Sequence, residues 1–143
     1  MKMLSSLLVV LGIVLADTLM SNTSALAADA SSAGKVYELR VYHTNPGKLE
    51  ALHARFRDHT CKLFPKHGIE LVGFWTPIQG EEAEDTLYYI IAFPSAEAQK
   101  RAWQAFQDDP EWKKAKAGSE KEGVLVNKVD STNLKATDYS PMQ

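Results

Sequence analysis

The sequence predicts an α+β domain with helices packed on an antiparallel sheet. Two stretches carry apolar residues at helical spacing, and four short segments have the alternating or continuous apolar character of strands. Two of those strands are apolar on both faces, so the sheet needs a covering layer on each side. The elements follow one another in the order β-α-β-β-α-β. The length of the chain fits a single domain.

The first residues predict export. Lys2 precedes an uncharged apolar block, residues 4–16, and a polar stretch then leads to Ala25-Leu26-Ala27, an A-x-A cleavage sequence. A membrane-spanning helix needs roughly 20 apolar residues, and this block is shorter. We therefore expect a secretory signal peptide over residues 1–27, cleaved near Ala27, with residues 14–16 as an alternative cleavage site. The mature protein would be secreted or periplasmic, with no stable membrane anchor.

Residues 28–34 are small and polar and predict a flexible leader, which leaves one domain over residues 35–143. The formal net charge of −2 and the lack of any basic run argue against nucleic acid as a partner. Cys61 is the only cysteine, so no disulfide framework stabilises the exported chain. Its stability must come from packing or from association.

The first strand, residues 35–43, alternates two sets of side chains. One set is Tyr37, Leu39, Val41 and His43, and the other is Val36, Glu38, Arg40 and Tyr42. We expect Leu39 and Val41 to pack against the helices. Glu38 and Arg40 would then lie on the second face of the sheet and pair there with each other or with polar groups such as His59. The alternative is that this strand lies at a sheet edge, where both charges would be solvated.

The first helix is predicted over residues 45–67. Asn45 is a favourable N-cap, Pro46 suits the first helical position, and Gly68 stands where a helix-terminating glycine is expected. Pro65 lacks a backbone N–H, so we expect the last turn to kink. His67 is expected to interact with the carbonyl end of its own helix.

The remaining elements follow from their boundary residues. Residues 69–77 and 86–93 are apolar strands joined by an acidic loop, which predicts a hairpin. Ser95 can cap the second helix, and Asp109 with Pro110 restarts it. A last short strand is predicted over residues 123–131. This order is the split arrangement of ferredoxin-like folds.

The apolar second face of this sheet predicts a homodimer. Helices on one side leave the other side to be covered, and a second copy of the chain is the simplest cover. Two sheets facing each other in this way form a dimeric α+β barrel that encloses a cavity. The predicted fold class is therefore a ferredoxin-like α+β domain forming a dimeric α+β barrel.

The chain resembles the NIPSNAP family in five segments that occur in the family's order: YELRVY (37–42), PGKLEAL (46–52), FRDHTCKLFPKHGIELVGFW (56–75), WQAFQDDPEW (103–112) and VDSTNLKATDYSP (129–141). The resemblance covers nearly all of the mature chain. It implies the dimeric α+β barrel that the family shares with antibiotic-biosynthesis and haem-degrading monooxygenases. It implies no catalytic mechanism, and it suggests haem as a cofactor only by analogy with that superfamily.

The candidate ligand-binding residues are the polar side chains of the first strand, one helical histidine and the aromatic side chains that could line a cavity. They are Glu38, Arg40, Tyr42, His59, Phe74, Trp75, Tyr88 and Trp103. We predict no metal site, because His59 and His67 are separated by about 12 Å along a helix axis. No residue is predicted to be catalytic.

Three classes of function remain open. The favoured one is binding of a small, largely apolar ligand in the barrel cavity. The second is a monooxygenase- or isomerase-like enzyme that uses Arg40, His59 and a tyrosine. The third is a scaffold for protein partners, which would use the outer surface of the barrel instead.

Overall fold

The computed structural model describes residues 34–142 of the 143-residue chain. Its elements are β1 (Val36–Thr44), α1 (Leu49–Arg55), a π-helical turn (Phe56–Thr60), α2 (Cys61–Lys66), β2 (Glu70–Trp75), a 3₁₀ turn (Glu81–Ala83), β3 (Thr86–Phe93), α3 (Ala96–Asp108), α4 (Pro110–Ser119) and β4 (Val126–Leu134). Within this part of the chain, no helix is both long and apolar enough to span a bilayer. The predicted signal peptide and nearly all of the leader lie outside the described residues.

The four strands form one antiparallel sheet in the order β2-β3-β1-β4. The two central strands, β1 and β3, pair with Arg40 opposite Tyr89. On the other side of β1, Ser131 of β4 lies opposite Arg40. This arrangement confirms the predicted ferredoxin-like α+β domain.

Most predicted element boundaries agree with the structure, but the start of the first helix and the bounds of the last strand do not. The helix begins at Leu49 rather than Asn45, because the Asn45 amide donates to the carbonyl of Val124 and Gly47 adopts a positive φ of 70°. The last strand is also displaced, running over Val126–Leu134 rather than residues 123–131. In both places a contact between distant residues overrides the local capping and breaking signals.

The helix that spans residues 49–66 contains a π-helical turn that the sequence did not predict. The backbone N–H of Cys61 bonds to the carbonyl of Phe56, five residues earlier, and the Thr60 hydroxyl donates to the carbonyl of Arg55 at 3.3 Å. In a regular helix, Phe64 would point about 80° away from Phe56, and the extra residue reduces the angle to about 20°. Both phenylalanines therefore pack on the sheet.

The end of this helix agrees with the prediction. Gly68 has a φ of 76°, its N–H bonds to the carbonyl of Pro65, and the N–H of Ile69 bonds to the carbonyl of Phe64, each at 3.0 Å. These two bonds form a Schellman motif, which satisfies carbonyls that the helix end leaves free. The chain turns there into β2.

The core lies between the helices and one face of the sheet and is rich in aromatic rings. Tyr89 is central: Phe56 meets it edge to face at 5.2 Å, and Phe74 stacks on it at 5.5 Å. Phe64 connects this group to Phe106 of α3 at 4.9 Å. Such pairs add stability beyond the area that they bury.

The two faces of β1 are the reverse of what we expected. Glu38 and Arg40 face the helices, since both contact Trp103 of α3. Leu39 and Val41 therefore point to the opposite face, which no helix of residues 34–142 covers. The alternation itself was predicted correctly, but the expectation that the apolar set would pack on the helices was wrong.

Asp109 caps α4 and connects it to the end of the 49–66 helix. Its carboxylate accepts from the N–H of Glu111 at 2.7 Å, from the ring of His67 at 2.6 Å and from the Lys66 ammonium at 3.0 Å. His67 thus contacts the next helix rather than capping its own, as we had expected. Hydrogen bonds from His67 and Lys66 hold the pKa of Asp109 below its usual value.

We expect Asp109→Asn to lower the melting temperature at pH 7 by on the order of 5 °C, because asparagine keeps the cap but loses the charge. The folded pKa of Asp109 lies below the unfolded value of about 3.9, so its contribution is complete above about pH 5 and is lost as the pH falls through the folded pKa. Melting curves recorded from pH 7 to pH 3 should show a difference between the two proteins that is unchanged down to about pH 5 and narrows below it. A difference that stays constant with pH, or an equal effect of Glu97→Gln at an exposed position, contradicts this role.

Candidate functional site

A buried polar cluster lies between the sheet and α3, centred on Glu38. The carboxylate is 3% exposed and accepts four hydrogen bonds. The donors are Arg40 Nη1 at 2.5 Å, Trp103 Nε1 at 2.7 Å, Gln99 Nε2 at 2.7 Å and Ser131 Oγ at 2.7 Å. These donors come from β1, α3 and β4, so one carboxylate ties three elements together.

Glu38 is held as a carboxylate. Burial opposes its ionisation, but the hydrogen bonds from its four donors outweigh that penalty and leave the pKa of Glu38 below its usual value. Its acceptor capacity is used by these four groups. Glu38 therefore fixes its neighbours and has little capacity left for a further donor.

Arg40 is fixed on one edge and unsatisfied on the other. Its guanidinium carbon lies 4.6 Å from the centre of the Trp103 ring and 5.4 Å from that of Tyr42. Nη1 binds Glu38, whereas Nη2 reaches only the Tyr42 hydroxyl, at 3.4 Å. Nε is buried and has no hydrogen-bond partner in residues 34–142. Burial lowers the pKa of Arg40, but Tyr42, Tyr89 and Glu38 outweigh it and raise the pKa above its usual value.

A second polar atom without a partner belongs to Tyr89, opposite Arg40 on β3. The side chain is fully buried, and its hydroxyl makes no hydrogen bond within the described part of the chain. Burial, followed by the neighbouring Tyr42 phenol, raises the pKa of Tyr89, so the group is a neutral phenol at physiological pH. An unpaired buried hydroxyl costs about 1–3 kcal/mol, which makes this position costly unless something occupies it.

The cluster can be approached along β4. The side chains of β4 that share the helix-facing side with Glu38, Arg40 and Tyr42 are Asn133, Ser131 and Val129. All three are exposed, with Val129 at 41%. The Arg40 side chain itself is 18% exposed. The Arg40 side chain thus reaches the margin of the core, although its Nε is buried.

The eight candidate residues occupy three separate places. Glu38, Arg40, Tyr42 and Trp103 form the cluster, and Phe74 stacks on Tyr89 beside it. Trp75 and Tyr88 pair across β2 and β3 on the opposite face of the sheet. There Trp75 is 52% exposed, and the Tyr88 hydroxyl donates to Glu82 at 3.0 Å.

His59 does not join the cluster as we had expected. It is exposed on the π-helical turn and lines an outer groove between the 49–66 helix and α4. Its polar neighbours in that groove include Asp58 and Lys114. The expected pairing of His59 with Glu38 or Arg40 is therefore wrong.

Sequence reasoning missed Gln99 and Ser131, and it did not place Tyr89 beside Arg40. Gln99 stands four residues before Trp103, so both lie on one face of α3 and reach the same carboxylate. That spacing was a usable signal. Ser131 and Tyr89 become neighbours of Arg40 only through strand register, which the sequence does not reveal.

The residues present do not suit a haem or a metal ion. Axial ligation by histidine is not available in the cluster, since His59 faces the outer groove, His53 lines two other pockets, His43 bonds Asp130 and His67 bonds Asp109. Within residues 34–142, no group of three or more His, Cys, Asp or Glu side chains is placed to hold a metal ion. We therefore derive no chemistry from either group.

Comparison with known proteins gives a clear family assignment. The NIPSNAP family profile matches residues 37–141. The chain belongs to the NIPSNAP family. No protein with a curated functional description matches it in sequence.

Solved structures of NIPSNAP proteins share this fold. One is a NIPSNAP family protein of unknown function from Agrobacterium tumefaciens, 21% identical, with a TM-score of 0.67 over 78% of this chain and 96% of that one. Another is an uncharacterized NIPSNAP-like domain protein from Burkholderia xenovorans, 16% identical, with a TM-score of 0.65 over 76% of this chain and 90% of that one. At these identities the likeness establishes the fold and not the ligand.

We expect Arg40→Ala to lower the free energy of unfolding by about 3–5 kcal/mol, because it leaves the buried Glu38 carboxylate without its counter-charge. The double variant Glu38→Ala/Arg40→Ala should lose less than the sum of the two single variants. Arg57→Ala is the matched control, since Arg57 is exposed and lies 3.9 Å from Glu50, and it should cost about 0–1 kcal/mol. Urea denaturation gives the free energy of unfolding of the parent and of the four variants. If Arg40→Ala behaves like Arg57→Ala, the pair is not a structural centre of this NIPSNAP protein.

Proposed function

We propose that this NIPSNAP protein binds a small, largely apolar ligand through one oxygen-bearing group, a carbonyl or a carboxylate. The observation that carries the proposal is a pair of buried polar atoms beside one aromatic cluster, Arg40 Nε and the Tyr89 hydroxyl, which have no hydrogen-bond partner in the described part of the chain. Buried donors are rarely left unpaired in native proteins, so two of them near one another favour an absent acceptor.

The surroundings support this choice of ligand. Tyr42 contacts Phe56 and Tyr89 at ring distances of 6.0 and 5.2 Å, so the unpaired donors border an apolar wall. A ligand oxygen placed there would accept from Nε of Arg40 and from the Tyr89 phenol. Its apolar body would then extend towards the exposed Val129 at the β4 margin.

The same geometry favours binding over enzymatic proton transfer. A monooxygenase- or isomerase-like mechanism through this cluster would need a general base. The cluster's carboxylate, Glu38, already accepts four hydrogen bonds and has a lowered pKa. His59, the other candidate base, lies in the outer groove.

We expect the exported protein, purified from its native host, to retain a small molecule that native mass spectrometry detects. Tyr89→Phe should lower the retained fraction by about fivefold or more, because it removes one donor to the ligand oxygen. The same variant should be at least as stable as the parent when empty, since phenylalanine leaves no unpaired hydroxyl.

Tyr88→Phe is the control for this experiment. Its hydroxyl is bonded to Glu82 on the opposite face of the sheet, so retention should not change. Equal retention by all three proteins, or no small molecule in any of them, would refute a ligand site at Arg40 and Tyr89.

We further propose that the protein acts after export as a homodimer that buries the sheet face opposite the helices. This face carries Leu39 and Val41 of β1 beside Tyr88 and Ile90 of β3. Trp75 extends the same face at the edge of the sheet. A continuous apolar surface of this kind favours association, and a second copy offers the matching surface.

We expect sedimentation of the mature protein to give a dimer at micromolar concentration and Ile90→Glu to give monomer or aggregate. A charge at the centre of a buried apolar interface loses its hydration without gaining a partner. Lys62→Glu, on the exposed side of α2, is the control and should leave the dimer intact. A parent protein that sediments as a stable monomer contradicts the proposal.

A further inference from the structure

The outer groove between the 49–66 helix and α4 is a second candidate binding site. It has a volume of about 850 Å³, within the range of small-molecule sites. Small side chains make the room, namely Ala51, Ala54, Ala115, Ala117 and Gly118. None of its lining residues belongs to the Glu38 cluster, so the groove is independent of the site proposed above.

Arg55 lies at the base of this groove and is only half satisfied. The residue is 5% exposed, and Nη1 donates to Glu120 at 2.9 Å and to the Ser119 hydroxyl at 3.4 Å. Nε is buried and has no hydrogen-bond partner within residues 34–142. The guanidinium also lies 5.4 Å from the centre of the Trp112 ring, which helps to fix its plane.

The π-helical turn begins directly after Arg55. Arg55 ends α1, and its carbonyl accepts from the Thr60 hydroxyl rather than from a regular helical N–H alone. The extra residue keeps Phe56 in the core while Asp58 and His59 face the groove. Such turns are frequent at functional sites, because they move side chains out of the regular helical register.

The charges around the groove select the kind of ligand. Lys114 and Lys121 stand with Arg55, whereas Asp58 and Glu111 oppose them, and Glu120 is already bound to Nη1. This near balance disfavours a doubly charged phosphate. A single carboxylate has two oxygens that match the Nε and Nη2 edge of a guanidinium.

We propose that the groove between the 49–66 helix and α4 binds a small aliphatic monocarboxylate, with its carboxylate on the Nε edge of Arg55 and its hydrocarbon chain against the alanines. The carboxylate completes the hydrogen bonding of a buried cation whose other edge Glu120 holds. The shallow alanine floor accepts a chain of a few carbons.

Hexanoate is a suitable probe, and hexan-1-ol is its uncharged control. Titration of the ¹⁵N-labelled mature protein should shift the amide signals of Ala54, Gly118 and Ser119, saturating below about 10 mM hexanoate. Hexan-1-ol should bind about tenfold more weakly or worse, because it has no charge for Arg55. Tryptophan fluorescence provides a second measurement, since Trp112, one of three tryptophans, lies beside the guanidinium.

Gly118→Leu blocks the groove without disturbing Arg55. A Cβ at Gly118 meets no atom within 4 Å, so the new side chain occupies open space on a helix that leucine favours more than glycine does. This variant should fold as well as the parent and bind hexanoate about tenfold more weakly or worse. Lys113→Leu places the same side chain on α4 outside the groove and should bind like the parent.

Arg55→Lys tests the guanidinium edge directly. Lysine keeps the charge beside Glu120 but not the paired donors, so we expect about a tenfold loss of affinity. The proposal is overturned if no saturable shift occurs at these amides, if hexan-1-ol binds as tightly as hexanoate, or if Gly118→Leu binds like the parent. Because Tyr89→Phe leaves the groove unchanged, failure here is distinguishable from failure of the site at Arg40.

Discussion

The buried carboxylate of Glu38 is the constraint on which the rest of the interior depends. An ionised group that is 3% exposed is tolerated only with strong partners, and it obtains them from β1, α3 and β4. Satisfying this one group fixes how α3 lies across the sheet. The Glu38 carboxylate also orients Arg40, since it accepts from Nη1. The Nε of Arg40 is left without a hydrogen-bond partner in residues 34–142, on the strand opposite Tyr89.

The 49–66 helix is subject to a second constraint, because it packs on the sheet with one side and lines the outer groove with the other. Its inner side must present both Phe56 and Phe64 to the sheet, and only the extra residue of the π-helical turn brings them into line. Arg55 stands directly before the same turn, at the boundary between helices, where Glu120 neutralises it. Packing of the core and shape of the outer groove are therefore consequences of a single irregularity.

Both sites have the same physical character. Each is built on an arginine with one edge held by a glutamate and an aromatic ring beside its plane, while Nε has no hydrogen-bond partner among residues 34–142. Such an arrangement preorganises a cation at modest cost in side-chain entropy. The NIPSNAP fold supplies the scaffold, and a fold shared at identities near 20% does not by itself specify a ligand.

The sequence by itself determined the order of elements, the N-caps at Ser95 and Asp109, the turn at Gly68 and the family, because these depend on local chemistry and apolar period. It also identified Glu38, Arg40 and Trp103 as candidates. Only the tertiary structure decided which face of β1 meets the helices. Periodicity shows which side chains share a face of the strand but not which face is buried. Here the charged face is buried, because the distant residues Gln99, Trp103 and Ser131 donate hydrogen bonds to the Glu38 carboxylate.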